Sequence, residues 1–117
     1  MKTNIPRQLS PSDLFTWLLK ESGKPLLVDV REDHELAIAP FPADVLHLPL
    51  SESSRWIEEI PTKVQKSQPV VVICHSGIRS WNFGSWLLEQ DLACEVWNLE
   101  GGIDAWSVNV DSSVPRY

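Results

Sequence analysis

Pro69-Val70-Val71-Val72-Ile73-Cys74-His75-Ser76-Gly77-Ile78-Arg79-Ser80 decides how the chain is read. Val70 to Ile73 are four consecutive β-branched residues behind a proline, the pattern of a strand buried on both faces. A cysteine stands where that strand stops. Gly77 then supplies backbone angles that bulkier residues resist. Beyond it, Trp81, Ser85 and Leu88 fall on one helix face, with Leu87 beside it. In open α/β sheets ligands sit beyond the carboxyl ends of the strands, and Cys74 occupies that position.

Outward from this segment the chain alternates strands with helices. Ser10 reads as a helix N-cap, Pro11 as the first helical residue and Asp13 as a carboxylate near the positive helix end. Leu14, Trp17 and Leu18 continue at helical spacing until Gly23 and Pro25. Leu26 to Val30 is a second buried-strand run. Glu32 to Ile38 reads as a short helical turn stopped by Pro40 and Pro42, and Val45 to Leu48 as a strand closed by Pro49. Trp56, Ile57 and Ile60 predict a brief amphipathic helix ending at Pro61. Glu95 to Leu99 gives a further strand, and Gly101-Gly102 precede a helix through Trp106. Residues 107–117 are expected to lie on the surface as an extended tail. Such alternation favours parallel β-α-β units and a three-layer α/β domain.

A length of 117 residues suits one domain, spanning 1–117 with its core over about 9–106. The six tryptophans are read as core filling. A net charge of −6 argues against a nucleic-acid surface, which needs clustered Lys and Arg. No segment approaches the roughly 20 apolar residues of a membrane span. Met1-Lys2-Thr3-Asn4-Ile5-Pro6-Arg7-Gln8 lacks the apolar stretch and cleavage site of a signal peptide, so the cytoplasm is the expected location. Two cysteines, Cys74 and Cys94, do not suggest a disulfide framework. Cys94, among apolar residues at a strand start, is read as packing.

The chemistry is expected at Cys74. A glycine turn at a positive helix end can curl its N–H groups into an anion-binding nest, and such a nest favours a thiolate over a thiol. Arg79 is expected to add a fixed positive charge beside the sulfur. A lone cysteine at a strand end is often only a compact hydrophobe; strand, cysteine, glycine turn, arginine and helix together point to a reactive one. His75 is read as an exposed loop residue shaping access to the mouth rather than as a general base. Ser76 offers a hydroxyl to substrate or forms the turn. Ser80 is read as a cap of the following helix. Asp29 and Arg31 are read as structural: Asp29 accepts hydrogen bonds from loop amides and Arg31 pairs with a carboxylate.

Three segments carry a family resemblance. Cys74-His75-Ser76-Gly77-Ile78-Arg79-Ser80 resembles the C-x-x-G-x-R-S active-site signature of the rhodanese family. Leu27-Val28-Asp29-Val30-Arg31-Glu32 resembles its L-[IV]-D-V-R-E motif, and Asn98 to Trp106 its N-L-x-G-G-[IF]-x-A-W motif. They occur in family order, and the likeness runs from about Leu9 to Trp106. The resemblance implies a three-layer α/β/α domain with a mostly parallel, about five-stranded sheet. It also implies a sulfurtransferase in which Cys74 carries sulfur as a persulfide, passed from thiosulfate or a persulfide donor to cyanide or a thiol. The amides of His75 through Arg79 would stabilise the sulfur anion. No metal or organic cofactor is implied, and the expected partners are small sulfur donors and acceptors or a sulfur-exchanging protein, with no nucleic acid and no membrane. The chain is expected to be a monomer.

Ala39-Pro40-Phe41-Pro42-Ala43-Asp44 departs from the family's G-H-I-P-G-A, which leaves that loop's path open. Two rivals stand beside the catalytic reading: a persulfide carrier or non-enzymatic interaction module, and a cysteine-dependent phosphatase or arsenate reductase. Phosphatases of that kind use C-x5-R, whereas four residues separate Cys74 from Arg79. The tighter ring suits one sulfur atom better than a tetrahedral oxyanion.

Overall fold

The computed structural model describes residues 5–117; of the amino-terminal stretch read for a leader, residues 1–4 lie outside the described residues. Five parallel strands form one sheet in the order β1-β5-β4-β2-β3. They are β1 (Arg7–Leu9), β2 (Leu26–Asp29), β3 (Leu46–His47), β4 (Val70–Ile73) and β5 (Val96–Leu99). The helices are α1 (Pro11–Leu18), α2 (Asp33–Ile38), α3 (Ser53–Trp56), α4 (Ile60–Lys63), α5 (Ile78–Glu89) and α6 (Gly102–Asn109), with 3-10 turns at Leu50–Glu52 and Ile57–Glu59. No helix among the described residues is long and apolar enough to cross a membrane.

The period-two alternation of β4, the middle strand, divides the core. Val70, Val72 and Cys74 face one side with Trp56, Ile60, Phe83 and Leu87. Val71 and Ile73 face the other with Leu14, Phe41, Ile103 and Trp106. All four β4 residues are fully buried, as their β-branched run predicts. This alternation has a chemical consequence: it turns the Cys74 side chain toward α5, the helix that its own loop begins.

The start of α1 is as expected, with Ser10 Oγ accepting from Asp13 N at 3.1 Å. Other expectations need correction. Strand β1 has no apolar run to announce it; Arg7 and Gln8 are exposed and only Leu9 is buried, so edge pairing with β5 defines it. Pro61 does not end a helix. It sits in the first turn of α4, where its missing N–H has no helical partner to lose. The buried face of α5 is Ser80, Phe83, Gly84, Leu87 and Leu88 rather than the Trp81–Ser85–Leu88 line. Gly84 allows close approach there, since a Cβ would stand 2.9 Å from Val96 and 3.0 Å from Pro6. Cys94 is exposed, not packed.

Nor are residues 107–117 an extended tail. α6 runs on to Asn109, and the chain then folds back to bury Val114 in the second core cluster. Ser107 Oγ donates to the Val114 carbonyl at 2.6 Å. The divergent 39–44 loop is also anchored by burial: Ala39 is fully enclosed, and Phe41 packs on Trp106 with ring centroids 4.8 Å apart.

Candidate active site at Cys74

Cys74 follows β4 directly and is 1% exposed. Three groups converge on its sulfur. The N–H of Gly77 donates to Sγ at 3.1 Å and that of Ser80 at 3.3 Å, while Ser80 Oγ lies 3.1 Å away. Gly77 makes this possible with φ of 101°, a left-handed value that lets the chain reverse and present its amide inward. It is also the N-cap of the 12-residue α5, so the sulfur sits at that helix's positive end. The family resemblance implies that the amides of His75 through Arg79 stabilise a transferred sulfur anion. Among the described residues, the amides bonded to Sγ are those of Gly77 and Ser80.

Ser80 is therefore not a helix cap but a residue inside the first turn of α5, aimed back at the sulfur. Its hydroxyl also donates to Asn98 Oδ1 at 2.5 Å. Asn98 Nδ2 in turn donates to the Gly77 carbonyl at 3.1 Å and to Gln8 Oε1 at 3.0 Å. A hydroxyl has one proton. When it points to Asn98, the oxygen can accept from a Cys74 thiol; rotated, it donates to a thiolate. Asn98, 1% exposed, thus sets Ser80 and braces the turn. A polar residue inside an otherwise apolar strand was the signal that could have revealed it.

The loop carbonyls are held away from the sulfur. Ile103 N donates to the Cys74 carbonyl at 2.9 Å and Asp104 N to that of His75 at 3.1 Å. Gly102 brings the start of α6 this close: a Cβ there would lie 2.3 Å from the His75 carbonyl oxygen and 2.6 Å from that of Cys74. The Cys74 and His75 carbonyls thus face α6, while the Gly77 and Ser80 amides face the sulfur.

Arg79 has a partner that the sequence does not reveal. Its guanidinium is clasped by Glu35, Nη1 to Oε2 and Nη2 to Oε1, each at 2.8 Å. The positive charge is committed to this carboxylate, and a free guanidinium for a tetrahedral oxyanion is not on offer. The bidentate bond from Arg79 holds the Glu35 carboxyl well below its usual 4.5, at about 2, and raises Arg79 above the ordinary guanidinium value. A carboxyl depressed in the folded state stabilises the fold above its unfolded pKa and loses that contribution as pH falls through the folded one. Because the Arg79 side chain is 37% exposed, water screens the pair and about 1–2 kcal/mol is the expected contribution. Wild type is expected to lose that stability between about pH 4.5 and 2, whereas Glu35→Gln, less stable at neutral pH, loses less over the same range. Urea titration across that window checks the difference.

His75 is half-buried rather than exposed, its ring stacked on Tyr117 with centroids 4.1 Å apart and planes 12° from parallel. Ser76 is exposed, and Ile78 is 69% exposed at the rim. Asp29 and Arg31 are both fully buried and bonded to each other, Arg31 Nη2 to Asp29 Oδ2 at 2.8 Å. Sequence reasoning missed Glu35, Asn98 and Tyr117; the last two bind the loop only because of strand pairing and the folded-back carboxyl-terminal segment.

Residues 14–109 match the rhodanese-like domain. The chain is 37% identical over 91 residues to the Rhodanese-like/PpiC domain-containing protein 12, chloroplastic, of Arabidopsis thaliana, covering 78% of this chain and 30% of that relative's length. It is 32% identical over 99 residues to the thiosulfate sulfurtransferase GlpE of Actinobacillus pleuropneumoniae serotype 7, covering 85% of this chain and 84% of that one. The crystal structure of a rhodanese-like domain protein from Staphylococcus aureus superposes with a TM-score of 0.73 at 25% identity, over 95% of this chain and 98% of that one. With the cysteine loop, the five-stranded parallel sheet and a family match over most of its length, the chain belongs to the rhodanese-like domain family.

Proposed function

We propose that the protein is a sulfurtransferase that carries sulfane sulfur as a persulfide on Cys74, with thiosulfate or a persulfide as donor and cyanide or a thiol as acceptor. The observation that carries this reading is the convergence of two backbone N–H groups and one hydroxyl on a single sulfur, within 3.1–3.3 Å. Such donors stabilise negative charge on sulfur without neutralising it by a fixed cation. Cys74 is 1% exposed, so a donor meets it with a terminal sulfur rather than with its bulk.

In the first half-reaction the Cys74 thiolate attacks the outer sulfur of thiosulfate. A new S–S bond forms, the S–S bond of thiosulfate breaks, and sulfite leaves with the electron pair. The enzyme is left as a persulfide anion. In the second, cyanide attacks the outer sulfur, thiocyanate departs, and the Cys74 thiolate returns. The two displacements balance without an added oxidant, reductant, metal or organic cofactor, and they call for ping-pong kinetics. The relatedness to GlpE and the Arg79–Glu35 pair favour this chemistry over phosphoryl transfer.

Intact-mass measurement after thiosulfate treatment tests the proposal. Wild type is expected to gain one sulfur atom, release one sulfite per chain and return to its starting mass with cyanide. An unchanged mass under saturating thiosulfate and persulfide donors, or Cys74-dependent release from an aryl phosphate, would overturn it.

A further inference from the structure

Two charged pairs flank the sulfur loop, Asp29 with Arg31 and Glu35 with Arg79, and one phenol joins them. Tyr117 accepts from Arg31 Nη1 at 3.1 Å and donates to Glu35 Oε1 at 3.0 Å. Its ring meanwhile covers one face of His75, the residue next to Cys74. The segment that delivers Tyr117 is itself fixed. Val114 is buried, and Arg116 grips Asp104, Nε to Oδ1 at 2.8 Å and Nη2 to Oδ2 at 3.2 Å. Asp104 closes the circuit, because its backbone N–H holds the His75 carbonyl.

His75 is thereby held from both ends, its carbonyl by the start of α6 and its ring by Tyr117. Arg79, four residues on, is held through Glu35. Between these clamps lies Gly77, whose left-handed backbone has no side chain to fix it. We propose, resting on the sulfurtransferase reading, that Tyr117 is a positioning residue for the transfer: it clamps both flanks of the loop so that the Gly77 and Ser80 amides stay on the sulfur. It touches neither sulfur nor donor. Its ring and its hydroxyl do separate work, the ring on His75 and the hydroxyl on Glu35 and Arg31.

Tyr117→Phe and Tyr117→Ala separate the two. NMR of the full chain reads amide exchange at Gly77 and Ser80 together with the His75 ring-proton shifts, which the stacked phenol perturbs. Stopped-flow with thiosulfate reads persulfide formation. Tyr117→Phe is expected to keep the His75 shifts and slow maximal loading about threefold, the scale of one hydrogen-bonding group. Tyr117→Ala is expected to lose those shifts, speed exchange at both amides and slow maximal loading about tenfold or more. Half-saturating thiosulfate should move less than about twofold, since the defect lies in reaching the transition state. Unchanged exchange and His75 shifts in Tyr117→Ala would overturn the positioning role, whatever the wild type does with thiosulfate. Wild-type loading in Tyr117→Ala would also overturn it, as would slowed loading with undisturbed amides. A wild type that takes up no sulfur sinks the sulfurtransferase reading instead, and the exchange comparison still decides whether Tyr117 orders the loop.

Discussion

Cys74→Ser is expected to take up no sulfur from thiosulfate, with thiocyanate formation from cyanide falling at least about a thousandfold, the scale of removing an enzyme nucleophile. The substitution changes one atom. A serine oxygen fits the space of the sulfur and can still accept from the Gly77 and Ser80 amides, so the loop and the core around it are retained. What is lost is the ability to hold sulfur through an S–S bond and the anionic nucleophile that forms it. A serine hydroxyl keeps its proton at neutral pH, and the described contacts at this position are the Gly77 and Ser80 amides and the Ser80 hydroxyl, none of them a general base. The stability cost is expected to be about 1–3 kcal/mol, the range for placing a hydroxyl in a core, reduced by the two amides that still donate to it. Thermal unfolding beside intact-mass labelling therefore separates chemistry from folding. Cys94→Ser is the matched control: Cys94 is exposed, its backbone N–H is bonded to Lys66, and no amide cradle surrounds its sulfur among the described contacts. It is expected to load like wild type. Sulfur uptake that persisted in Cys74→Ser and vanished in Cys94→Ser would move the reactive thiol to the surface and empty the cradle of its proposed purpose.

The parts of the site legible in the sequence are those made by neighbours along the chain. Val70 to Ile73, Cys74 and Gly77 lie within eight residues, and strand burial, turn and helix start follow from local chemistry. The same local reading misplaced Ser80 and could not supply the partner of Arg79. Helix-start statistics make a serine there a cap, yet Gly77 already caps α5 and Ser80 points back at the sulfur. An arginine beside a thiolate suggests charge donation, but the sequence does not reveal that α2 sets Glu35 opposite Arg79, 44 residues away. Tyr117 was further out of reach. It arrives 86 residues after Arg31 in a segment whose single deep anchor, Val114, sits among polar neighbours and gives no helical or strand period. In the fold at large, apolar runs identified β2, β4 and β5, whereas the short edge strand β1 depends on backbone pairing that residue type does not announce.

Asp29→Ala is expected to cost about 3–5 kcal/mol, the largest stability loss of any single change considered, because it strands a charge rather than removing one. Arg31 is fully buried, and Asp29 accepts from its backbone N–H at 3.1 Å, from Nε at 3.0 and 3.2 Å and from Nη2 at 2.8 Å. Without the carboxylate, the guanidinium keeps the Tyr117 oxygen as a partner for Nη1 but has no counter-ion in the described pair. Small domains are stable by roughly 5–15 kcal/mol, so the loss takes a large share of the total and lowers the melting temperature by roughly 15–25 °C. The double variant Asp29→Leu/Arg31→Met removes both charges and is expected to recover most of that loss, because apolar replacement of a whole buried pair is often near neutral. Calorimetry of the single and double variants reads this directly. Sulfur loading decides whether the pair acts only through the fold. Measured well below the melting transition, Asp29→Ala is expected to load in proportion to its folded fraction, and the double variant to retain only the modest deficit of the lost Arg31–Tyr117 bond. An Asp29→Ala protein that melts like wild type yet fails to load would place the carboxylate in the chemistry, and the pair would then belong with the sulfur cradle rather than with the scaffold beneath it.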